Sequence, residues 1–123
     1  VWSDSGQGSP LNLEKEMNIA IDFDDTYTRD PQMWDKFIRL AQLSGHTVYC
    51  VTARSHNYDP EVLDSIGKVV GVGNCYFTAM QGKRAYMYAN NININVWIDD
   101  TPDMIVRGIE VEQNDGKIYL PYE

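Results

Sequence analysis

Three times along this chain a short apolar run breaks off abruptly into oxygen-bearing side chains. Asn18 to Phe23 carries Ile19, Ala20 and Ile21 and ends among Asp22, Asp24 and Asp25. Thr47 to Val51 is β-branched and aromatic and ends at Thr52, Ala53 and Arg54. Ile94 to Ile98 alternates with Asn and Trp and runs into Asp99, Asp100, Thr101, Pro102 and Asp103. Runs of this length and residue type predict strands, and the acids begin where the strands end.

The segments between these runs have helical spacing. Asp30 before Pro31 is an N-cap followed by a first-turn proline, and Trp34, Phe37, Ile38 and Ala41 follow until Gly45 closes the helix. Pro60 to about Val70 reads as one helix with Val62, Leu63 and Ile66 apolar, and a short strand follows near Cys75 to Thr78. Gln81 to Asn90 reads as a further helix with Lys83 in its first turn. Ile109 to Glu112 and Lys117 to Leu120 flank Gln113, Asn114, Asp115 and Gly116, which predicts a C-terminal hairpin whose Asp-Gly supplies the turn.

Strands that alternate with helices require right-handed crossovers, so the expected fold is α/β: a three-layer, Rossmann-like, mostly parallel sheet with helices on both faces. Such sheets bind ligands outside the carboxyl ends of their strands. The three acid- and hydroxyl-bearing tips are therefore expected to meet at one rim. The chain's 123 residues suit one core rather than two. Residues 1–16, rich in Ser, Gly, Asp and Glu, are read as a leader, flexible or added, because Met17 stands immediately before the first strand. That leaves 17–123 as a single domain.

A formal charge of −8 disfavours broad attraction to nucleic acid or to an anionic membrane surface. No apolar run reaches the roughly 18 residues that a membrane span needs. Cys50 and Cys75 sit in apolar runs without metal-ligand spacing and read as reduced core cysteines, which points to a cytoplasmic location. His46 and His56 read as surface residues, and Trp34 and Trp97 as packing aromatics.

Carboxylates gathered at one rim resist ionising together unless a cation joins them. An all-oxygen donor set without Cys or His suits Mg²⁺ better than zinc, and Mg²⁺ sites are often completed by a substrate phosphate. A carboxylate aimed at a bound phosphate can attack phosphorus, and a second acid nearby can protonate the leaving oxygen. Lys83 and the Thr52 hydroxyl are candidates to hold the phosphoryl oxygens, and Arg54 follows Thr52 at the same tip as a further substrate contact.

Asp22-Phe23-Asp24-Asp25-Thr26 after one strand, Thr52 after another, Lys83 opening a helix, and Ile98-Asp99-Asp100-Thr101-Pro102-Asp103 after a fourth strand resemble the four motifs of the haloacid dehalogenase-like hydrolases. The match runs in order from Asn18 to Asp103. By that resemblance Asp22 is nucleophile and Mg²⁺ ligand, and Asp24 is acid/base and gives its backbone carbonyl to the metal. Thr52 and Lys83 bind phosphate, Asp99 ligates the metal, and Asp103 or Asp100 supports it. An acid at position 24 points to the phosphatases of the family rather than its dehalogenases, hence to a phosphomonoester hydrolysed through an aspartyl-phosphate. Asp25 stands where the family often has Gly.

The gaps at 30–45 and 58–78 are too short for an inserted cap, so the chain resembles the capless members. An uncovered site admits bulky phosphorylated substrates, phosphorylated polynucleotide ends among them, or is closed by a second copy of the chain. Two other classes share parts of the pattern: a phosphoacceptor receiver module, which would need its acid at a tip that here carries Thr52 or Thr78, and a catalytically silent interaction domain.

Overall fold

The computed structural model describes residues 15–107 and the backbone of 113–114 and 117–118. Residues 1–14 of the expected leader lie outside the described residues. Four strands form one parallel sheet: β1 (Asn18–Ile21), β2 (Thr47–Thr52), β3 (Cys75–Phe77) and β4 (Val96–Ile98), in the order β3-β2-β1-β4. β1 pairs with β2 from Asn18 opposite Thr47 to Ile21 opposite Cys50, and with β4 from Ile19 opposite Val96 to Ile21 opposite Ile98. The order changes direction beside β1, which is the place where sheets of this kind open a crevice.

Side-chain alternation along the strands builds two cores, as the period of two requires. Ile19, Ile21, Val48, Cys50 and Phe77 face one side and pack with Phe23, Ile38, Val62, Ile66 and Val70. Ala20 and Val51 face the other and pack with Met87 and Ile94, joined by Tyr49, Tyr76 and Trp97. The first core takes in helices α1 (Pro31–Leu43), α2 (Pro60–Leu63) and α3 (Ile66–Val70); the second takes in α4 (Lys83–Ala89). A short α5 (Asp103–Val106) follows β4. The fold is therefore α/β, with an all-parallel sheet covered on both faces. Among the described residues no helix is long and apolar enough to cross a membrane.

α1 starts as its sequence dictates: the Asp30 carboxylate accepts the Met33 N–H at 3.2 Å, and Pro31 takes the first turn. The single helix expected over 60–70 is instead two. Asp59 caps α2 by accepting from the Glu61 N–H, and the helix stops because the Ser65 hydroxyl donates to the Glu61 and Val62 carbonyls at 2.6 and 3.2 Å. A serine that competes for backbone acceptors favours such a break. Gly67 then lets α3 approach α2, since a Cβ there would stand 3.3 Å from the Val62 carbonyl oxygen.

The expected helix 81–90 begins only at Lys83. Ala79 and Met80 hold left-handed φ values of 54° and 68°, and their N–H groups donate to the carbonyls of Arg54 and Ala53 at 3.1 and 2.9 Å. Those bonds offset the strain of two non-glycine residues in that region and stitch the entrance of α4 to the tip of β2. Beyond α5, β5 (Gln113–Asn114) and β6 (Lys117–Ile118) pair antiparallel, so Gln113 and Asn114, expected in the connection of the hairpin, are themselves paired in a strand. The hairpin's outer expected residues, 109–112 and 119–120, lie outside the described residues.

Ile38 is fully buried between α1 and the sheet. Ile38→Ala is expected to lower the unfolding free energy by about 2–5 kcal/mol, read as a shifted midpoint in urea. A loss well under 1 kcal/mol would mean that α1 is not clamped to the sheet at this residue.

Candidate active site

The rim at the carboxyl ends of β1 and β4 is closed by backbone first. The Asp22 N–H donates to the Ile98 carbonyl at 2.9 Å, extending the ladder one residue beyond β1 and setting Asp22 beside Asp99. The chain then turns through a 3-10 segment, Tyr27–Arg29, whose start is pinned by Tyr27 N–H to the Asp22 carbonyl at 3.2 Å. Asp25 takes a left-handed φ of 63°, tolerated by Asp more readily than by most residues. Its N–H donates to the Thr28 hydroxyl at 2.9 Å.

Lys83 is the centre of the site. Its side chain is 1% exposed, and its Nζ donates to Asp22 Oδ1 at 2.7 Å and to Asp99 Oδ2 at 2.6 Å. The two residues it joins lie 61 and 16 positions away in the chain. Gly82, the residue before Lys83, lies against the Arg107 backbone, where a Cβ would collide with the carbonyl oxygen. The Thr26 hydroxyl lies between the remaining acids, 3.1 Å from Asp22 Oδ2 and 3.2 Å from Asp100 Oδ1, and it accepts the Asp100 N–H at 3.2 Å. Asp99 Oδ1 accepts the Thr101 N–H at 2.9 Å.

Asp22, Asp99 and Asp100 each offer a carboxylate oxygen within 4.8 Å of the others. Three carboxylates face one ammonium, so negative charge is left uncompensated in a half-buried setting. Burial pushes the Asp22 carboxyl up to about 6; the hydrogen bond and charge of Lys83 oppose the rise, and the hydrogen bond with Asp100 adds to it. The same hydrogen bond from Asp22 holds Asp100 below the usual carboxylate range, with burial opposing and the Thr26 contact adding. The contact thus moves the two carboxyls in opposite directions, Asp22 up and Asp100 down. A hard divalent cation fits this donor set: all oxygen, and a positive charge placed where the acids repel.

The other expected site residues are placed differently. Asp24 borders the same cleft, but its carboxylate is held bidentately by Arg54, at 2.7 Å from Nη2 and 3.0 Å from Nε. Arg54 is also engaged by Asp59 at 2.8 Å and Glu61 at 2.9 Å, and its guanidinium lies 4.9 Å above the Phe23 ring. Thr52 stands at the rim but is fully buried, and its hydroxyl accepts the Arg54 N–H at 3.3 Å; the residue of the β2 tip that lines the cleft is Ala53. Asp103 is an exposed first residue of α5 and lies outside the three-acid group, where Asp100 stands instead. Asp100 does not cap α5, whose N-cap is Pro102.

Sequence reasoning gave no role to Thr26. Its signal was its place four residues after Asp22, which the turn at Tyr27–Arg29 converts into a hydroxyl facing two acids. The cleft lined by Asp22, Asp24, Asp25, Ala53, Lys83, Asp99, Asp100, Thr101 and Met104 holds about 140 Å³. A wider groove of about 530 Å³ runs beside β3 and includes none of these acids.

The raised carboxyl has a consequence for stability. An unfolded Asp22 titrates near 3.8 and the folded one near 6, so across that window the folded protein holds its proton more tightly. Stability from this group is full below the lower value and is lost as pH rises through the upper one. In chelator, the protein is expected to lose roughly 1–3 kcal/mol between about pH 4 and about pH 7 on account of Asp22. Urea titrations of the wild type and of Asp22→Asn at both pH values check this; identical pH slopes would clear Asp22 as the source. Lys83→Met, which strands Asp22 beside Asp99, is expected to cost about 3–5 kcal/mol at neutral pH in chelator, and a variant as stable as the wild type would show that the ammonium does not hold the two acids.

No protein-family model matches the chain, and neither the curated proteins nor the solved structures contain a match to it.

Proposed function

We propose that the protein is a Mg²⁺-dependent phosphohydrolase of the haloacid dehalogenase-like kind, in which the Asp22 carboxylate attacks the phosphorus of a phosphomonoester. One observation carries the proposal. Asp22, Lys83 and Asp99–Asp100, from three separate stretches of chain, meet at the rim where β1 and β4 end. One ammonium offsets only part of the charge of three carboxylates, so the cluster retains the negative charge that a cation would neutralise.

Asp22, Asp99 and Asp100 would hold the cation, which supplies charge neutralisation for an incoming phosphate and orients its oxygens. Lys83 keeps Asp22 and Asp99 in fixed positions and presents positive charge to a phosphoryl group entering the cleft. Asp22, once deprotonated above its raised pKa, forms the new bond to phosphorus as the bond to the leaving oxygen breaks. Asp24, which also lines the cleft, would give the leaving oxygen a proton and later take one from water.

The dimensions of the cleft bear on the substrate. About 140 Å³ is well below the roughly 300 Å³ at which pockets begin to enclose whole small molecules. The site therefore takes the phosphoryl group and leaves the remainder of the substrate outside. The stretch 30–45 is filled by α1, and 58–78 by α2, α3 and β3, which supports a site without an inserted cap. Thr52 and Thr78, at the tips of β2 and β3, supply no acid for a receiver-type phosphoacceptor.

A panel of phosphomonoesters with small and bulky leaving groups, assayed for released phosphate with Mg²⁺ and with chelator, tests the proposal. Repeated turnover is expected with Mg²⁺ only. Asp22→Asn is expected to lower it roughly a thousandfold or more while circular dichroism shows the fold retained. Unchanged turnover in that variant would remove Asp22 from the chemistry, and a single stoichiometric phosphorylation without turnover would point to a receiver.

A further inference from the structure

Cys50 and Cys75 lie 25 positions apart by their numbering, in different strands, and the sheet sets them side by side. β2 and β3 pair in parallel with Cys50 directly opposite Cys75. Parallel neighbours in register send their side chains to the same face, and both cysteines join the same core, Cys50 fully buried and Cys75 half-buried. Adjacent strands are spaced about 4.8 Å apart, within the roughly 4.4–6.8 Å between Cα atoms that a disulfide spans. Both thiols are free in this structure.

We propose that this pair is a reversible oxidation site, closed by hydroperoxides into an intrachain disulfide that ties β3 to β2. Access and mobility favour it. Cys75 lines the groove of about 530 Å³ beside β3, with Leu63, Val72 and Phe77, so a small oxidant reaches its sulfur from solvent. Gly67 places no side chain against that sulfur; a Cβ there would stand 3.5 Å from it. β3 is three residues long and, among the described residues, pairs only with β2, so it is free to move the short distance that bonding of the sulfurs requires.

The two thiols are chemically unequal. The neighbouring Cys75 sulfur pushes the Cys50 thiol up, with burial adding to the rise, and the same contact draws Cys75 down against the opposing effect of burial. Cys75, the one that lines the groove, is the attacking sulfur, and the buried Cys50 is the resolving one. The Cys75 thiolate attacks one peroxide oxygen: an S–O bond forms, the O–O bond breaks, and the departing hydroxide takes a proton to become water. Cys50 sulfur then attacks the sulfenic sulfur; the S–S bond forms, the S–O bond breaks, and the hydroxide leaves with the Cys50 proton as a second water. Two thiols lose two electrons, and one hydroperoxide is reduced.

The experiment treats the full chain with hydrogen peroxide, alkylates it under denaturing conditions and measures intact mass. The expected product is monomeric, lighter by two hydrogens, unreactive to alkylation and restored by dithiothreitol. Trypsin cleavage after Arg54 and Lys68 separates the two cysteines, so a linked peptide pair identifies the bond. Cys50→Ser is expected to accumulate a sulfenic acid at Cys75 that dimedone traps. Should that core variant fail to fold, Cys75→Ser serves: peroxide is expected to leave its remaining thiol alkylatable and its mass unchanged. Two alkylatable thiols in the treated wild type, a sulfinic acid at Cys75 without linkage, or a bond between chains would each overturn the proposal. None of these outcomes depends on phosphatase turnover.

Discussion

One ammonium held between two buried carboxylates organises this molecule. Lys83 reaches Asp22 and Asp99 where β1 lies against β4 and α4 begins at position 83, with the backbone at Gly82 passing close to Arg107. Each placement is made by backbone rather than side-chain chemistry. The Asp22 N–H to Ile98 carbonyl bond fixes the first, and the bonds from Ala79 and Met80 to the tip of β2 fix the second. Burying three charges is costly, and their mutual attraction repays it only when the geometry is good. Here the ammonium satisfies two acids while Thr26 and Thr101 serve oxygens that it does not reach. The cluster remains acidic after that, which suits it to the proposed cation as well as to a structural role.

Much of this arrangement can be read from residue order, because strand ends and helix starts are local. The acids at 22 and 99 begin where apolar runs end, and Asp30-Pro31 starts a helix for reasons contained within four residues. What depended on register or on distant partners could not be read in the same way. Asp100 and Asp103 are equally plausible after β4 until the helix is seen to start at Asp103 with Pro102 at its cap, leaving Asp100 free to face Thr26. Arg54 follows Thr52 whichever way its side chain turns; three carboxylates from two other segments decide that. Position and resemblance make Thr52 a candidate phosphate ligand, and they do not reveal that its hydroxyl accepts the Arg54 N–H. The neighbouring cysteines depend on the pairing of β2 with β3, which no spacing of 50 and 75 reveals.

The acids at the rim fall into two sets with different counter-charges. Asp22, Asp99 and Asp100 share Lys83, whereas Asp24, Asp59 and Glu61 share Arg54. In the first set the Asp22 and Asp99 side chains are buried and Asp100 is exposed; in the second, Asp24 is 53% and Glu61 66% exposed. Screening by water weakens the second set, so its pairings exchange at lower cost than those around Lys83. The division follows the sheet: one set sits between β1 and β4, the other between the tip of β1 and the start of α2.

That contrast gives the proposed chemistry a physical order. An acid that is to protonate a leaving group has to be free to turn, and one that is to attack phosphorus has to be held still. Asp22 is held by a buried ammonium and a threonine hydroxyl, while Asp24 is held by a guanidinium that two other carboxylates also claim. Releasing Asp24 does not leave Arg54 unpaired, because Asp59 and Glu61 remain on Nη1, and its face stays over the Phe23 ring. Excess acid around Arg54 therefore lowers the cost of freeing Asp24. A dianionic phosphoryl group in the cleft would raise the negative potential beside Asp24 and compete for the guanidinium's outer edge, favouring that release as the substrate arrives. On this view Arg54 serves the reaction as a restraint on the mobile acid, and the rigid and movable halves of the site differ because one counter-ion is buried and the other is not.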